Sequence, residues 1–125
     1  MFSHVMLGAK DIQESKTFYD AIFATMGYKP GVIDDKGRCF YYTDTGIFCI
    51  SIPIDGEPAC HGNGSTIGFA AKTTELADAW HAAGLANGGT AIEEPPGVRD
   101  GGVMKLYLAY LRDPAGNKLC ALHKL

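Results

Sequence analysis

The sequence predicts an α+β protein in which two βαβββ modules form one curled mixed-sheet half-barrel with a central cleft. Two observations predict it. Residues 3–11 repeat as residues 65–73, and each copy is followed by an amphipathic helix and three strand-like runs. The 125 residues suit a single domain. We divide it into a module at 1–54, a linker at 55–64 and a module at 65–125.

The repeat holds at two different spacings. The first strand and helix of the two modules align 62 residues apart, so that Phe18 falls on Trp80. The last strands align 71 residues apart, with Cys49 on Cys120. The nine additional residues of the second module therefore belong to the loop at 94–104.

The first helix is predicted by its cap and by its apolar stripe. Asp11 followed by Glu14 is typical of a capping box, and Gly27 suits the C-terminal end. The residues of the stripe recur at helical spacing: Phe18, Tyr19, Ile22 and Met26.

The second helix is predicted to begin near Thr74 and to end at Gly88-Gly89, with Leu76, Trp80 and Ala83 turned inward. Gly84 is expected to weaken this helix by about 1 kcal/mol relative to alanine.

The strand-like runs after each helix are bounded by turn residues. They lie at 29–33, 38–43 and 47–52 in the first module, and at 90–93, 105–112 and 118–122 in the second.

Alternation along the strands assigns their two faces. Val5, Leu7 and the apolar residues at equivalent positions of the other strands suit the helix side of the sheets. The opposite faces, called free faces below, then carry mostly small or polar residues: His4, Met6, Gly8, Cys49, Ser51, Thr66, Gly68, Ala70, Lys118, Cys120 and Leu122. Because a packed core prefers bulky apolar side chains, this pattern favours a ligand cavity.

Composition excludes several classes of function. The net charge is −3, so a nucleic-acid footprint is not expected. The longest apolar stretch, 106–111, is too short to cross a bilayer, and the N-terminus is unlike a secretory signal. The four cysteines lack CxxC spacing, which favours a reduced, cytoplasmic protein.

The opening and closing segments resemble a known family. Ser3-His4-Val5, the run Ser15-Lys16-Thr17-Phe18-Tyr19 and the closing run from Asp113 to Leu119 are similar to those of the vicinal oxygen chelate superfamily, which includes glyoxalases, bleomycin resistance proteins and extradiol dioxygenases. The resemblance implies the two-module fold, a small-molecule ligand in the cleft between the modules, and a homodimer.

The resemblance also implies a metal site at four positions: His4, Cys49, Thr66 and Cys120. The usual ligand set is rich in His and Glu, and only His4 matches it. Thr66 stands where a second His is common, and Cys120 where Glu is common. Either His4, Cys49 and Cys120 form a soft site for zinc, or the metal is lost and the cysteines fill the cavity floor as small hydrophobes. We favour the second interpretation.

The remaining candidate residues concern catalysis and substrate binding. His4 is the candidate catalytic residue, as a metal ligand or general base. Arg99 suits an anionic substrate at the cleft mouth, although a solvated loop arginine is the plainer interpretation. The predicted substrate-binding residues are Met6, Ser51, Thr66, Gly68, Arg99 and Leu122.

Three functions stay open. The first is a metal-free binding protein for a small molecule. The second is a lyase or isomerase of the lactoylglutathione lyase type that uses zinc, nickel, iron or manganese. The third is a metal-free enzyme that uses His4 or Cys120.

Overall fold

The first module forms a four-stranded sheet covered by one helix. A computed structural model describes all residues, 1–125. The elements of this module are β1 (His4–Gly8), α1 (Ile12–Thr25), β2 (Val32–Ile33), β3 (Cys39–Tyr42) and β4 (Ile47–Ser51). The strand order is β1-β4-β3-β2, with β1 parallel to β4 and the other pairs antiparallel.

The second module repeats this plan with one additional strand. Its elements are β5 (Ile67–Ala70), α2 (Thr74–Ala86), β6 (Thr90–Ala91), β7 (Gly97–Asp100), β8 (Lys105–Arg112) and β9 (Lys118–Lys124). The order is β5-β9-β8-β6, with β5 parallel to β9, and β7 pairs with β8. The predicted fold class, α+β with two βαβββ modules and curled mixed sheets, is confirmed.

Strand register confirms the repeat residue by residue. Met6 lies opposite Cys49 in the β1–β4 pair, and Gly68 lies opposite Cys120 in the β5–β9 pair. These partners are the residues related by the spacings of 62 and 71. The two modules therefore place equivalent residues at equivalent sheet positions.

Strand β7 was not predicted. It lies within the insertion at 94–104, for which the sequence predicts only a loop, and pairs antiparallel with β8 from Gly97↔Leu108 to Asp100↔Lys105. Its flanking Pro and Gly residues are typical of a loop, so the sequence shows no sign of a strand. The strand forms because the edge of β8 is available for pairing.

The helix caps agree with the sequence. Asp11 accepts a hydrogen bond from the Glu14 amide at 2.8 Å, and Thr73 accepts one from the Leu76 amide at 3.1 Å. Each satisfies one of the amide groups that the first turn of a helix leaves unpaired. Gly27, with φ of 84°, ends α1 in the left-handed conformation that glycine tolerates.

One hydrophobic core joins the modules. Phe18, Ile22 and Trp80 are completely buried, and Phe69 of β5 packs on Phe23 of α1 with ring centroids 5.1 Å apart. Val5 and Leu7 pack against this core. The predicted helix side of β1 is therefore correct.

Gly84 allows α2 to approach α1 closely. A methyl group on Gly84 would lie 2.3 Å from Leu111 Cδ1, 3.2 Å from Phe18 Cε2 and 3.3 Å from Ile22 Cγ2. The expectation that Gly84 only weakens its helix was incomplete, because the missing side chain makes room for the shared core.

Candidate functional site

A cavity of about 740 Å³ lies on the free face of the first sheet. We call it the free-face cavity. Its lining includes Met6 and Gly8 of β1, Ser51 of β4 and Arg38 before β3. The linker closes one side with residues 55–60, and Ala59 Cβ would lie 3.1 Å from a methyl group on Gly8. The volume suits a ligand of ordinary drug or metabolite size.

A second cavity of about 230 Å³ lies between the modules. We call it the seam cavity, because it is lined from both edge strands: His4 and Val5 of β1, and Ile67 through Ala70 of β5. Aromatic rings of the core form its wall, and the β3–β4 turn forms its mouth.

The structure places four of the predicted site residues in these two cavities. Met6 and Ser51 line the free-face cavity, whereas His4 and Gly68 line the seam cavity. Thr66, Leu122 and Arg99 line neither of the two. The seam cavity is the one lined by both modules, whereas every residue of the larger cavity lies between positions 6 and 60.

The predicted metal ligands do not form a site. No group of three or more His, Cys, Asp and Glu side chains is placed to hold a metal ion. Cys49 is fully buried, with its thiol donating to the Val5 carbonyl at 3.3 Å, and Cys120 is buried with its thiol 3.5 Å from the Ala121 carbonyl. His4 is exposed and pairs with Ser3 Oγ at 2.9 Å.

Burial also affects the chemistry of the two cysteine thiols. Burial raises the pKa of both the Cys49 and the Cys120 thiols. A metal binds the thiolate, which a raised pKa disfavours. The set of His4, Cys49 and Cys120 that the sequence singled out does not fit a divalent ion, because Cys49 and Cys120 are buried in separate sheets and His4 is exposed.

Arg99 lies in β7 and its side chain hydrogen-bonds the segment that precedes the strand. Its Nη2 donates to the Glu94 carbonyl at 3.1 Å and to the Pro95 carbonyl at 2.9 Å. The guanidinium thus holds the segment that leads into β7. The sequence missed this because the strand itself was not predicted.

Two cations lie at the edge of the free-face cavity. Arg38 makes two hydrogen bonds to Asp34 Oδ2, at 2.8 and 2.6 Å, and its guanidinium carbon lies 5.1 Å from the centre of the Phe40 ring. Lys36 lines the same edge and makes no ion pair. Lys36 is therefore the cation available to an anionic ligand.

A buried polar network joins the modules. The Tyr19 hydroxyl donates to Asp113 Oδ2 at 2.6 Å, and Asn117 Nδ2 donates to the same oxygen at 2.8 Å. Asn117 Nδ2 also donates to the Gly8 carbonyl at 2.9 Å. Burial and the neighbouring Asp113 raise the pKa of Tyr19 well above its usual value. The closing run from Asp113 to Leu119, which suggested the family, therefore also hydrogen-bonds the second module to the first.

The model of the Glyoxalase/Bleomycin resistance protein/Dioxygenase superfamily matches residues 1–121. The chain belongs to this superfamily. No curated protein matches this superfamily member significantly.

Solved structures agree with this assignment. A glyoxalase/bleomycin resistance protein from Albidiferax ferrireducens T118 is 63% identical over 98% of each chain, with a TM-score of 0.95. A glyoxalase/bleomycin resistance protein/dioxygenase family enzyme from Burkholderia phytofirmans PsJN is 21% identical over 98% of each chain, with a TM-score of 0.74. Lactoylglutathione lyase from Agrobacterium tumefaciens is 20% identical over 98% of this chain and 92% of its own, with a TM-score of 0.67. The latter two share the fold.

Neither helix of this superfamily member has the length and apolarity needed to span a bilayer.

Proposed function

We propose that this glyoxalase/bleomycin-resistance-like protein binds a small organic molecule in the free-face cavity and holds no metal ion at the four matched positions. The observation that carries the proposal is the cavity itself, about 740 Å³ in volume and open beside Met6 and Ser51. Pockets of this size with a few convergent polar groups are the usual small-molecule sites of proteins.

The lining indicates the chemistry of the ligand. Met6 is 43% exposed and Ile54 is fully exposed, so apolar surface is available to an apolar body. Ser51 donates its hydroxyl hydrogen to the Ile52 carbonyl at 2.8 Å, which leaves its oxygen as an acceptor. With Lys36 at the edge, the best fit is an amphipathic molecule that carries one anionic group.

A homodimer is part of the proposal. The free face of the second sheet also has an exposed residue, Thr66, that lines neither cavity, and this face does not contribute to the free-face cavity. A second copy of the chain would bring one such face near the cavity. Size-exclusion chromatography with light scattering tests this, and a monomer at micromolar concentration would contradict it.

We also propose a reducing, cytoplasmic location. All four cysteines have unpaired thiols, and one of them, Cys60, is exposed. An exposed unpaired thiol suits a reducing compartment.

Anilinonaphthalene sulfonate, an anionic amphiphile whose fluorescence rises in apolar sites, tests the ligand proposal. We expect saturable binding to the native protein and weaker binding to Lys36→Gln and Met6→Asp. Lys29→Gln is the matched control, since Lys29 is exposed and lies outside both cavities. Equal affinity in all four proteins would contradict the proposed site.

The alternative is a metal-dependent lyase or isomerase of the lactoylglutathione lyase type. The observation in its favour is His4, the one histidine at a matched position. Elemental analysis of untagged protein tests it. Near-stoichiometric metal that is lost in His4→Ala would support the metal site that the alternative requires, and no metal after incubation with divalent ions would exclude the alternative.

The third function, a metal-free enzyme, has His4 as its remaining candidate. Cys120 is a poor nucleophile because its thiol is buried with a raised pKa. Turnover that is unaffected by chelator and abolished by His4→Ala would support such an enzyme.

A further inference from the structure

The seam cavity lies outside the proposed ligand site and shares no lining residue with it. The repeat explains why it exists. Gly8 and Ala70 are equivalent by the spacing of 62, and Asn117 and Gly46 are equivalent by the spacing of 71. At one end of the seam, Asn117 bridges to the Gly8 carbonyl at 2.9 Å. At the other end, the equivalent pair is Gly46 and Ala70, and both line the cavity.

Missing side chains therefore leave this end of the seam open. Gly46 has no side chain with which to reach β5, where Asn117 reaches β1. A methyl group on Gly46 would meet nothing closer than the Phe2 carbonyl oxygen at 3.9 Å. The turn that holds Gly46 has four residues, 43–46, and the equivalent turn has five, 113–117. The seam cavity thus lies at one end of the seam, and at the equivalent position at the other end the longer turn of the second module fills the space.

The wall of the seam cavity is aromatic and held in place. Phe48 packs on Phe69 with ring centroids 5.6 Å apart, and Phe23 packs on Tyr41 at 4.9 Å. Phe23, Tyr41 and Phe48 are all buried. Edge-to-face packing of this kind is favourable for a further ring placed against the wall.

Polar groups occur at the mouth. Thr43 donates its hydroxyl hydrogen to the Gly46 carbonyl at 2.8 Å. Thr45 is exposed beside it, and the Nδ1 atom of His4 is 2.9 Å from Ser3 Oγ. A bound molecule would meet rings at one end and a hydroxyl or an imidazole at the other.

We propose that the seam cavity binds a single-ring aromatic molecule that carries one hydroxyl group. The ring packs against Phe23, Phe48 and Phe69, and the hydroxyl points to Thr45 and His4. A dry cavity of about 150 Å³ binds benzene in another protein, so about 230 Å³ is sufficient for phenol.

The chain carries its own reporter for this site. Trp80 is the one tryptophan, and its ring centroid lies 6.4 Å from that of Phe69, which lines the cavity. Phenol is added stepwise, and the fluorescence of Trp80 is measured with excitation at the red edge of its absorption. Fluorine NMR with a fluorophenol measures the same affinity independently.

Two variants fill the cavity and one is their control. Ala70→Leu adds bulk at an exposed lining position, and Val5→Phe adds it at a half-buried one. Ala91→Leu makes the same change as the first at an exposed residue of β6, away from the cavity. Circular dichroism establishes that each variant is folded.

We expect saturable phenol binding to the native protein and to Ala91→Leu, and affinity reduced by about tenfold or more in a folded filling variant. Affinity that is unchanged in the folded filling variants, or no saturable binding to the native protein, would overturn the proposal. Lys36→Gln, which alters the free-face cavity, is expected to leave phenol affinity unchanged, so the two proposals fail separately.

The orientation of the ligand has its own test. Thr45→Val and His4→Ala, singly and combined, remove the polar groups at the mouth. We expect weaker binding of phenol and unchanged binding of toluene. Unchanged phenol affinity in the double variant would overturn the placement of the hydroxyl group.

Discussion

The side-chain amide of Asn117 donates to the backbone carbonyl of Gly8 at 2.9 Å, across 109 positions of sequence. This bond links the closing turn of the second module to the end of β1. The same amide also donates to Asp113, which in turn accepts from Tyr19. Asn117 therefore holds together three segments that no local interaction would bring near one another.

Asn117→Ala should destabilise the fold by about 1–3 kcal/mol, because the Gly8 carbonyl and the buried Asp113 carboxylate each lose a donor. Denaturant unfolding at neutral pH measures the change. Asn63→Ala is the control, since Asn63 is exposed in the linker. A loss no larger than that of the control would show that the bridge contributes nothing to stability.

Gly84→Ala should destabilise the protein by about 1–3 kcal/mol, because the new methyl group would overlap Leu111 and press on Phe18. Helix propensity alone predicts the opposite, a gain of about 1 kcal/mol. Ala82→Gly, at an exposed position of the same helix, should cost about 1 kcal/mol. Thermal unfolding in which Gly84→Ala is more stable than the native protein would contradict the close packing.

The cysteines should react in two classes. Cys60 is exposed, whereas Cys39, Cys49 and Cys120 are buried and burial raises the pKa of their thiols. We expect one thiol to react rapidly with a disulfide reagent in the native protein and all four to react in denaturant. Cys60→Ser should abolish the rapid phase. Rapid reaction of a second thiol would show that a sheet opens readily.

Stability should fall as the pH decreases through the ordinary pKa of histidine, about 6.5. Burial lowers the pKa of His81 in the folded chain, against the opposing effects of the Tyr110 backbone and Asp78. The unfolded chain then binds a proton at a higher pH than the folded chain does, so this contribution is complete above the unfolded pKa and is lost below it.

Unfolding free energies measured between about pH 7.5 and about pH 5.5 test this dependence. We expect a shallower slope in His81→Gln than in the native protein. His61→Gln, at an exposed linker position, should keep the native slope. An unchanged slope in His81→Gln would assign the pH dependence to another group.

The internal repeat and the strand faces were predictable because both depend on local pattern. Val5 and Leu7 alternate with His4, Met6 and Gly8, and the sheet can bury only one of the two sets against the helices. Asp11 and Glu14 predicted the start of α1 because capping is a contact within one turn. The site was less predictable. His4, Cys49 and Cys120 occupy matched positions, yet sheet position does not specify whether side chains from two modules converge.

The sequence by itself determined the family, the two-module plan and the side of each strand that packs on a helix. The tertiary structure alone decided that Met6 and Ser51 line one cavity while His4 and Gly68 line another, and that Gly84 serves packing. The physical reason is that cavities and close contacts depend on how two separately folded surfaces meet. Gly46 and Asn117 illustrate this, since equivalent positions in one repeat leave one end of the seam open and close the other.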